Sequence, residues 1–145
     1  MRNICYLTSK KGGLLEAMTN SSQFTDLNLF VYSDRITHDL IKRANDGNHT
    51  FRLINSADYQ SLVNQTQTDK IDLILSAGYL KILPKEAITQ LPPILNIHPG
   101  IDGYEGIHPQ RRMLQDRVKY VGQFIHVMDE TVDGGEKLWQ SRVKN

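Results

Sequence analysis

Cysteine occurs once in the 145 residues, as Cys5 in the apolar run Ile4-Cys5-Tyr6-Leu7. A lone cysteine closes no internal disulfide, and in that setting it reads as a buried structural thiol. No stretch approaches the roughly 18 consecutive apolar residues of a membrane-spanning helix, and no secretory leader opens the chain. Membrane attachment is therefore not expected, and the cytoplasm is the expected location. Surplus charge is missing as well: 17 Lys and Arg stand against 16 Asp and Glu, a formal net charge of +1. A dedicated nucleic-acid binder needs a basic excess to neutralise phosphates, so no nucleic-acid partner is expected. Disorder needs more charge and less apolar material than the 39% present. The five histidines and the single cysteine show no ligand spacing, so no metal is expected. Repeats and linkers are absent too, which leaves one domain over residues 1–145, large enough to bury a respectable core.

What is present alternates. Met1 to Leu7 reads as a buried first strand, followed by the loop Thr8–Gly13 and by Leu14, Leu15, Ala17 and Met18 at helical spacing. Leu27 to Tyr32 and Thr50 to Ile54 read as strands flanking a helix over Thr37–Ala44, which Asn45-Asp46-Gly47-Asn48 stops. Ser56-Ala57-Asp58-Tyr59 caps a further helix running to about Gln65, and Ile71 to Leu75 reads as a strand buried on both faces. Pro84 opens a short helix, Ile94 to Ile97 forms a strand ending at Pro99-Gly100, and Gln110 to Arg117 suits a helix. Two last strands, Val121–Met128 and Leu138–Val143, are joined through Asp133-Gly134-Gly135. The expected fold is α/β: a Rossmann-like, mostly parallel sheet flanked by helices, with antiparallel C-terminal strands.

In open parallel sheets, ligands gather beyond the carboxyl ends of the strands. Asn96 and His98 stand two apart at such an end, so both project to one face while Leu95 and Ile97 point the other way, into the core. An amide and an imidazole aimed together into a crevice make an oxyanion-stabilising pair; spacing alone favours the plainer reading, that they cap the strand and satisfy loop carbonyls. Asp133, before a Gly-Gly pair that permits positive φ and close approach, is either a proton acceptor and imidazole partner or part of an ordinary hairpin. His126 lies mid-strand and reads as a core histidine, while His38 and His49 read as surface residues.

Taken in order, five segments resemble the folate-dependent formyltransferases, closest to the branch acting on glycinamide ribonucleotide. They are Ala77-Gly78-Tyr79-Leu80-Lys81-Ile82-Leu83, Asn96-Ile97-His98-Pro99, Gly106-Ile107-His108, the strand histidine His126, and Asp129-Glu130-Thr131-Val132-Asp133-Gly134-Gly135. The resemblance spans nearly the whole chain. It implies formyl transfer from 10-formyltetrahydrofolate to a primary amine of a small phosphorylated or nucleotide-linked acceptor, either glycinamide ribonucleotide or an amino sugar. Asn96, His98 and Asp133 would be catalytic, and His108 would lie beside the aspartate. Ala77, Gly78, Tyr79, Leu80, Ile82 and Leu83 would bind the folate. Lys10, Lys11, Gly12 and Gly13 would hold the acceptor phosphate, in place of the family's Gly-x-Gly-Ser-Asn loop.

Other departures bear on the acceptor. After His98-Pro99 the chain continues Gly100-Ile101-Asp102-Gly103 rather than Ser-Leu-Leu-Pro, a feature resembling sugar-nucleotide N-formyltransferases. It is also short at the C-terminus, stopping at Asn145 where family members add strand and helix, and a homodimer partner is one way to complete the site. The alternatives to a transferase are a 10-formyltetrahydrofolate deformylase, or a folate-binding or regulatory protein with weak or no catalysis.

Overall fold

The structure is a computed structural model and describes residues 2–131 and 133–145. Its strands are β1 (Arg2–Thr8), β2 (Leu27–Ser33), β3 (Thr50–Leu53), β4 (Leu73–Ala77), β5 (Ile94–His98), β6 (Tyr120–Val127) and β7 (Lys137–Lys144). Its α-helices are α1 (Gly13–Thr19), α2 (His38–Asp46), α3 (Tyr59–Thr68), α4 (Lys85–Ile88) and α5 (Pro109–Gln115). The strands form one sheet in the order β3-β2-β1-β4-β5-β6-β7. β1 to β5 run parallel, and β6 and β7 join antiparallel. Mostly parallel with an antiparallel C-terminal edge, this is the expected fold class. Among the described residues no helix is long and apolar enough to cross a membrane.

Local chemistry explains the boundaries. The Thr37 hydroxyl accepts from the Leu40 amide at 3.2 Å and starts α2, whose buried face carries Leu40 and Ala44. Asp58 is the cap of α3, accepting from the Gln60 amide at 3.0 Å. That helix runs three residues past the expected end because Thr66 is itself buried and Asp69 is held down beyond it. The Asp69 carboxylate accepts from Tyr32 Oη (2.5 Å), from both ends of the Arg52 guanidinium (2.8 and 3.1 Å) and from Gln65 Nε2 (3.0 Å). A buried carboxylate satisfied this fully ties α3 to β2 and β3.

The two faces of the sheet are covered unequally. On one, α3 and α4 close over Cys5, Leu7, Tyr32, Ile74 and Ile94. On the other, α1 and α2 cover Ile4, Tyr6, Leu29 and Val31 but reach no further than the β1 edge of β4. β4 is therefore not buried on both faces: Ile74 and Ser76 are buried, while Leu73, Leu75 and Ala77 are only half-buried. The same asymmetry corrects the expectation for β5. Ile94 and His98 are buried on the covered face that Asn96 shares, and Leu95 and Ile97 are half-buried on the open one. An apolar groove of about 450 Å³ runs along that open face past Ile4, Leu73, Leu75, Ile97 and Ile125.

Candidate active site

Strand register assembles the site. Asn96 is level with Ser76 on β4 and with His126 on β6, and His98 is level with Phe124. Side chains of one parity share a face, so Ser76, Asn96 and His126 form a polar row at the carboxyl end of the sheet. Asp133, beyond β6, closes over it. Its Oδ1 accepts from Asn96 Nδ2 at 3.1 Å and lies 3.3 Å from His126 Nε2; its Oδ2 accepts from the Gly106 amide at 2.8 Å and lies 3.2 Å from His98 Nδ1. Asn96, His98 and Asp133, far apart in sequence, thus form one hydrogen-bonded cluster. His126 joins it, although it reads from sequence as a core histidine. It is buried, yet its Nδ1–H donates to the Val127 carbonyl at 3.0 Å, which leaves Nε2 to receive the second proton of the Asn96 amide at 3.1 Å. Only cross-strand register brings Asn96 and His126 together.

The electrostatics follow from these contacts. Burial alone would raise the Asp133 carboxyl, but His98 and the Gly106 amide hold it well below the usual carboxylate range. Burial by itself would lower His98, yet the Asp133 carboxylate and the Tyr104 carbonyl outweigh it and raise the imidazole above its ordinary value. His98 Nε2–H donates to that carbonyl at 2.7 Å. With an acceptor at each nitrogen, the ring is favoured as the doubly protonated imidazolium. Gly100 is required for this arrangement. A Cβ there would stand 2.8 Å from His98 Nε2 and 2.9 Å from Pro109 Cβ, so the glycine after His98-Pro99 lets the loop fold back onto the imidazole.

The turn carrying Asp133 uses its glycines differently from expectation. The positive φ falls on Asp133 itself, at 53°, rather than on Gly134 or Gly135. Gly135 serves close approach: a Cβ there would collide with the Val127 carbonyl oxygen, beside the bond from the Val127 amide to the Glu136 carbonyl. Gly135→Ala is therefore expected to destabilise the fold by about 3 kcal/mol, the overpacking range for a clash with backbone. Gly13→Ala, with open space around its Cβ, should stay within about 0.5 kcal/mol of the parent. Urea unfolding midpoints of the two variants check this.

The resemblance implies that His108 lies beside the aspartate. The histidine is exposed, in the left-handed region at φ 52°, and caps α5. Among the described residues no hydrogen bond or ion pair joins it to Asp133; the segment reaches the carboxylate through the Gly106 amide instead. His38 is exposed as expected, whereas His49 is half-buried against the Thr19 hydroxyl at 2.9 Å.

The segment Ala77–Leu83 divides. Leu83 is part of the core and Tyr79 packs against it, while Leu80 and Ile82 expose 47% and 65% of their surface and are free to meet a ligand. Gly78 takes φ 75° beneath the Lys10 stem, and Ser9 fastens the two loops, its amide donating to the Gly78 carbonyl and its hydroxyl accepting from the Leu80 amide, both at 3.1 Å. Lys10 and Lys11 are exposed, and Arg43 Nη1 donates to the Lys11 carbonyl at 2.7 Å. Gly12, at φ 79°, packs on Leu40 and leads into α1, which Gly13 opens. The four candidate phosphate-binding residues thus span the connection from the carboxyl end of β1 into α1, two strands from Asn96.

Comparison with known proteins agrees with this fold. A family model described as formyl transferase matches residues 2–144. The phosphoribosylglycinamide formyltransferase of Dictyostelium discoideum is 31% identical over 165 residues, covering 94% of this chain and 80% of that protein. The chloroplastic phosphoribosylglycinamide formyltransferase of Arabidopsis thaliana is 37% identical over 90 residues, covering 57% of this chain and only 31% of its own length. Among solved structures, glycinamide ribonucleotide transformylase 1 from Symbiobacterium toebii superposes with a TM-score of 0.87 at 27% identity, over 99% of this chain and 74% of that one. With a family match along nearly its whole length and a relative covered to four-fifths, the chain belongs to the formyl transferase family.

Proposed function

We propose that this protein transfers the formyl group of 10-formyltetrahydrofolate to the primary amine of glycinamide ribonucleotide. The observation that carries the reading is the convergence of Asn96, His98 and Asp133 at the carboxyl end of β5. The names of the relatives and structural neighbours favour this acceptor over an amino sugar, and transfer over hydrolysis.

The chemistry follows from the donor set. The acceptor amine attacks the formyl carbon, and the carbonyl oxygen becomes a tetrahedral oxyanion. Asn96 Nδ2, turning one proton from His126 Nε2 to the substrate, and the His98 imidazolium are the donors for that oxygen. In the state described here His98 Nε2–H is given to the Tyr104 carbonyl. The substrate oxygen exchanges with that carbonyl, so the donor is kept engaged and oriented until the reaction needs it. Asp133 holds His98 charged and is the base that collects the proton leaving the attacking nitrogen. The proton then passes to the folate nitrogen as the carbon–nitrogen bond to the donor breaks. Leu80 and Ile82 offer apolar surface for the folate, and Lys10 to Gly13 offer charge and backbone amides for the acceptor phosphate.

The test is formyl release from 10-formyltetrahydrofolate, run alone, with glycinamide ribonucleotide, and with amino-sugar nucleotides. Turnover only with glycinamide ribonucleotide is expected. Formate release that needs no amine would instead mark a deformylase, and folate binding without turnover would mark a binding protein.

A further inference from the structure

Ser76 is the last inward-facing side chain of β4; it is fully buried, and its hydroxyl oxygen has no hydrogen-bond partner among the described residues. Its cross-strand neighbours are Leu7 on β1 and Asn96 on β5. Leu7 offers nothing polar. The Asn96 amide protons are committed to His126 and Asp133, so the polar row beside Ser76 is satisfied without it. Along the same face lie Ile74 and Ile94, in the cluster that includes Leu83 and against which Tyr79 and Met128 pack. The hydroxyl is therefore a polar point without a partner among the described residues, beside Leu7, Ile74 and Ile94, one strand from the oxyanion donor and at the head of the segment assigned to the folate.

A buried hydroxyl without a partner destabilises a fold relative to alanine at the same place. A partner that arrives with a ligand reverses that balance in the bound state. Of the two substrates, only the folate brings a flat ring system with hydrogen-bonding atoms on its edge, suited to an apolar pocket with one placed polar group. The phosphorylated acceptor belongs to the Lys10–Gly13 segment, whose two lysines are exposed. We infer that Ser76 is a binding residue for the formyl donor, its hydroxyl hydrogen-bonding a polar edge atom of the bound pterin. This rests on the donor assignment proposed above.

The experiment measures equilibrium binding of tetrahydrofolate, which binds without turnover, together with the kcat and donor KM of the transfer reaction. It uses the parent protein, Ser76→Ala and Ser76→Cys, the last keeping the volume with a weaker donor. Ser76→Ala should bind tetrahydrofolate about five- to tenfold more weakly, as for one lost neutral hydrogen bond, and raise donor KM by the same factor. Its kcat should stay within about twofold, and its ligand-free thermal midpoint should rise. Ser76→Cys should lose affinity as well. Equal affinity in parent and Ser76→Ala overturns the role of Ser76 and leaves the donor assignment standing. A fall in kcat with unchanged KM also overturns it, making Ser76 a support for Asn96 instead. A parent that neither binds tetrahydrofolate nor releases formyl overturns both.

Discussion

Asn96→Ala is expected to slow formyl transfer by two to three orders of magnitude with the fold intact. One oriented oxyanion donor is worth about 3–4 kcal/mol of barrier, and each 1.36 kcal/mol is a factor of ten. The loss should fall on kcat rather than on donor KM, because the bond to the oxygen strengthens only as charge develops on it. Asn96 also donates to Asp133 Oδ1 and to His126 Nε2, so its removal leaves both acceptors short of a proton. Part of the decrease will therefore come from a displaced Asp133. Steady-state kinetics with saturating acceptor measures their sum in kcat, and the His98 titration of the variant reports the displacement of Asp133. A tenfold fall in kcat or less would mean that Asn96 organises the cluster without contacting the reacting oxygen.

Asp133→Asn should be the more damaging change, at about three to four orders of magnitude, the upper range for loss of a positioned acid–base group. Three donors meet the two carboxylate oxygens: Asn96 Nδ2 at one, and His98 Nδ1 and the Gly106 amide at the other. An asparagine has one oxygen for those three, so at least one of them faces an NH2 group that cannot accept. The variant also loses the charge that keeps the buried His98 protonated, so the imidazole becomes neutral at lower pH than in the parent. Titration of the His98 ring by NMR reports that shift independently of turnover. An unchanged His98 titration would show that Asp133 does not govern the imidazole.

The same substitution has a pH-dependent effect on stability. Asp133 is depressed in the folded protein, so its contribution is complete above the unfolded carboxyl value of about 3.9 and disappears as pH falls through the folded value. His98 is raised, so its contribution is complete below the unfolded imidazole value of about 6.5 and disappears as pH rises through the folded one. The pair therefore contributes most between about pH 4 and 6.5. There Asp133→Asn should cost about 3 kcal/mol, the lower end for a broken buried ion pair, and the penalty should shrink on either side. Denaturant midpoints at pH 5.5 and 8.5 measure the difference. A penalty equal at both would place the stabilisation in hydrogen bonds that do not depend on the charge of His98.

Much of the architecture was written in local pattern. The Leu27–Tyr32 run, the Thr37–Ala44 helix and the Asn45–Asn48 stop each lie within a residue or two of an observed boundary, because hydrophobic period and glycine act over one or two turns of chain. The Asn-Ile-His-Pro and Asp-Gly-Gly segments were equally legible, since the residue types and their order carry the resemblance whatever the chain does between them. The burial of Leu95, Ile97 and the outer face of β4 was not. Alternation says that two faces exist, and only the placement of α1 and α2 decides which one is covered.

The site divides along the same line. The sequence by itself determined which groups were available: an amide and an imidazole two residues apart on a strand end, an aspartate before two glycines, and an apolar stretch after Ser76. Tertiary structure alone decided that His126 joins them, that Gly106 rather than His108 meets the carboxylate, and that Tyr104 holds the second nitrogen of His98. Those partners are set by strand register and loop path, which depend on packing across the whole sheet. A residue's neighbours along the chain carry no record of them.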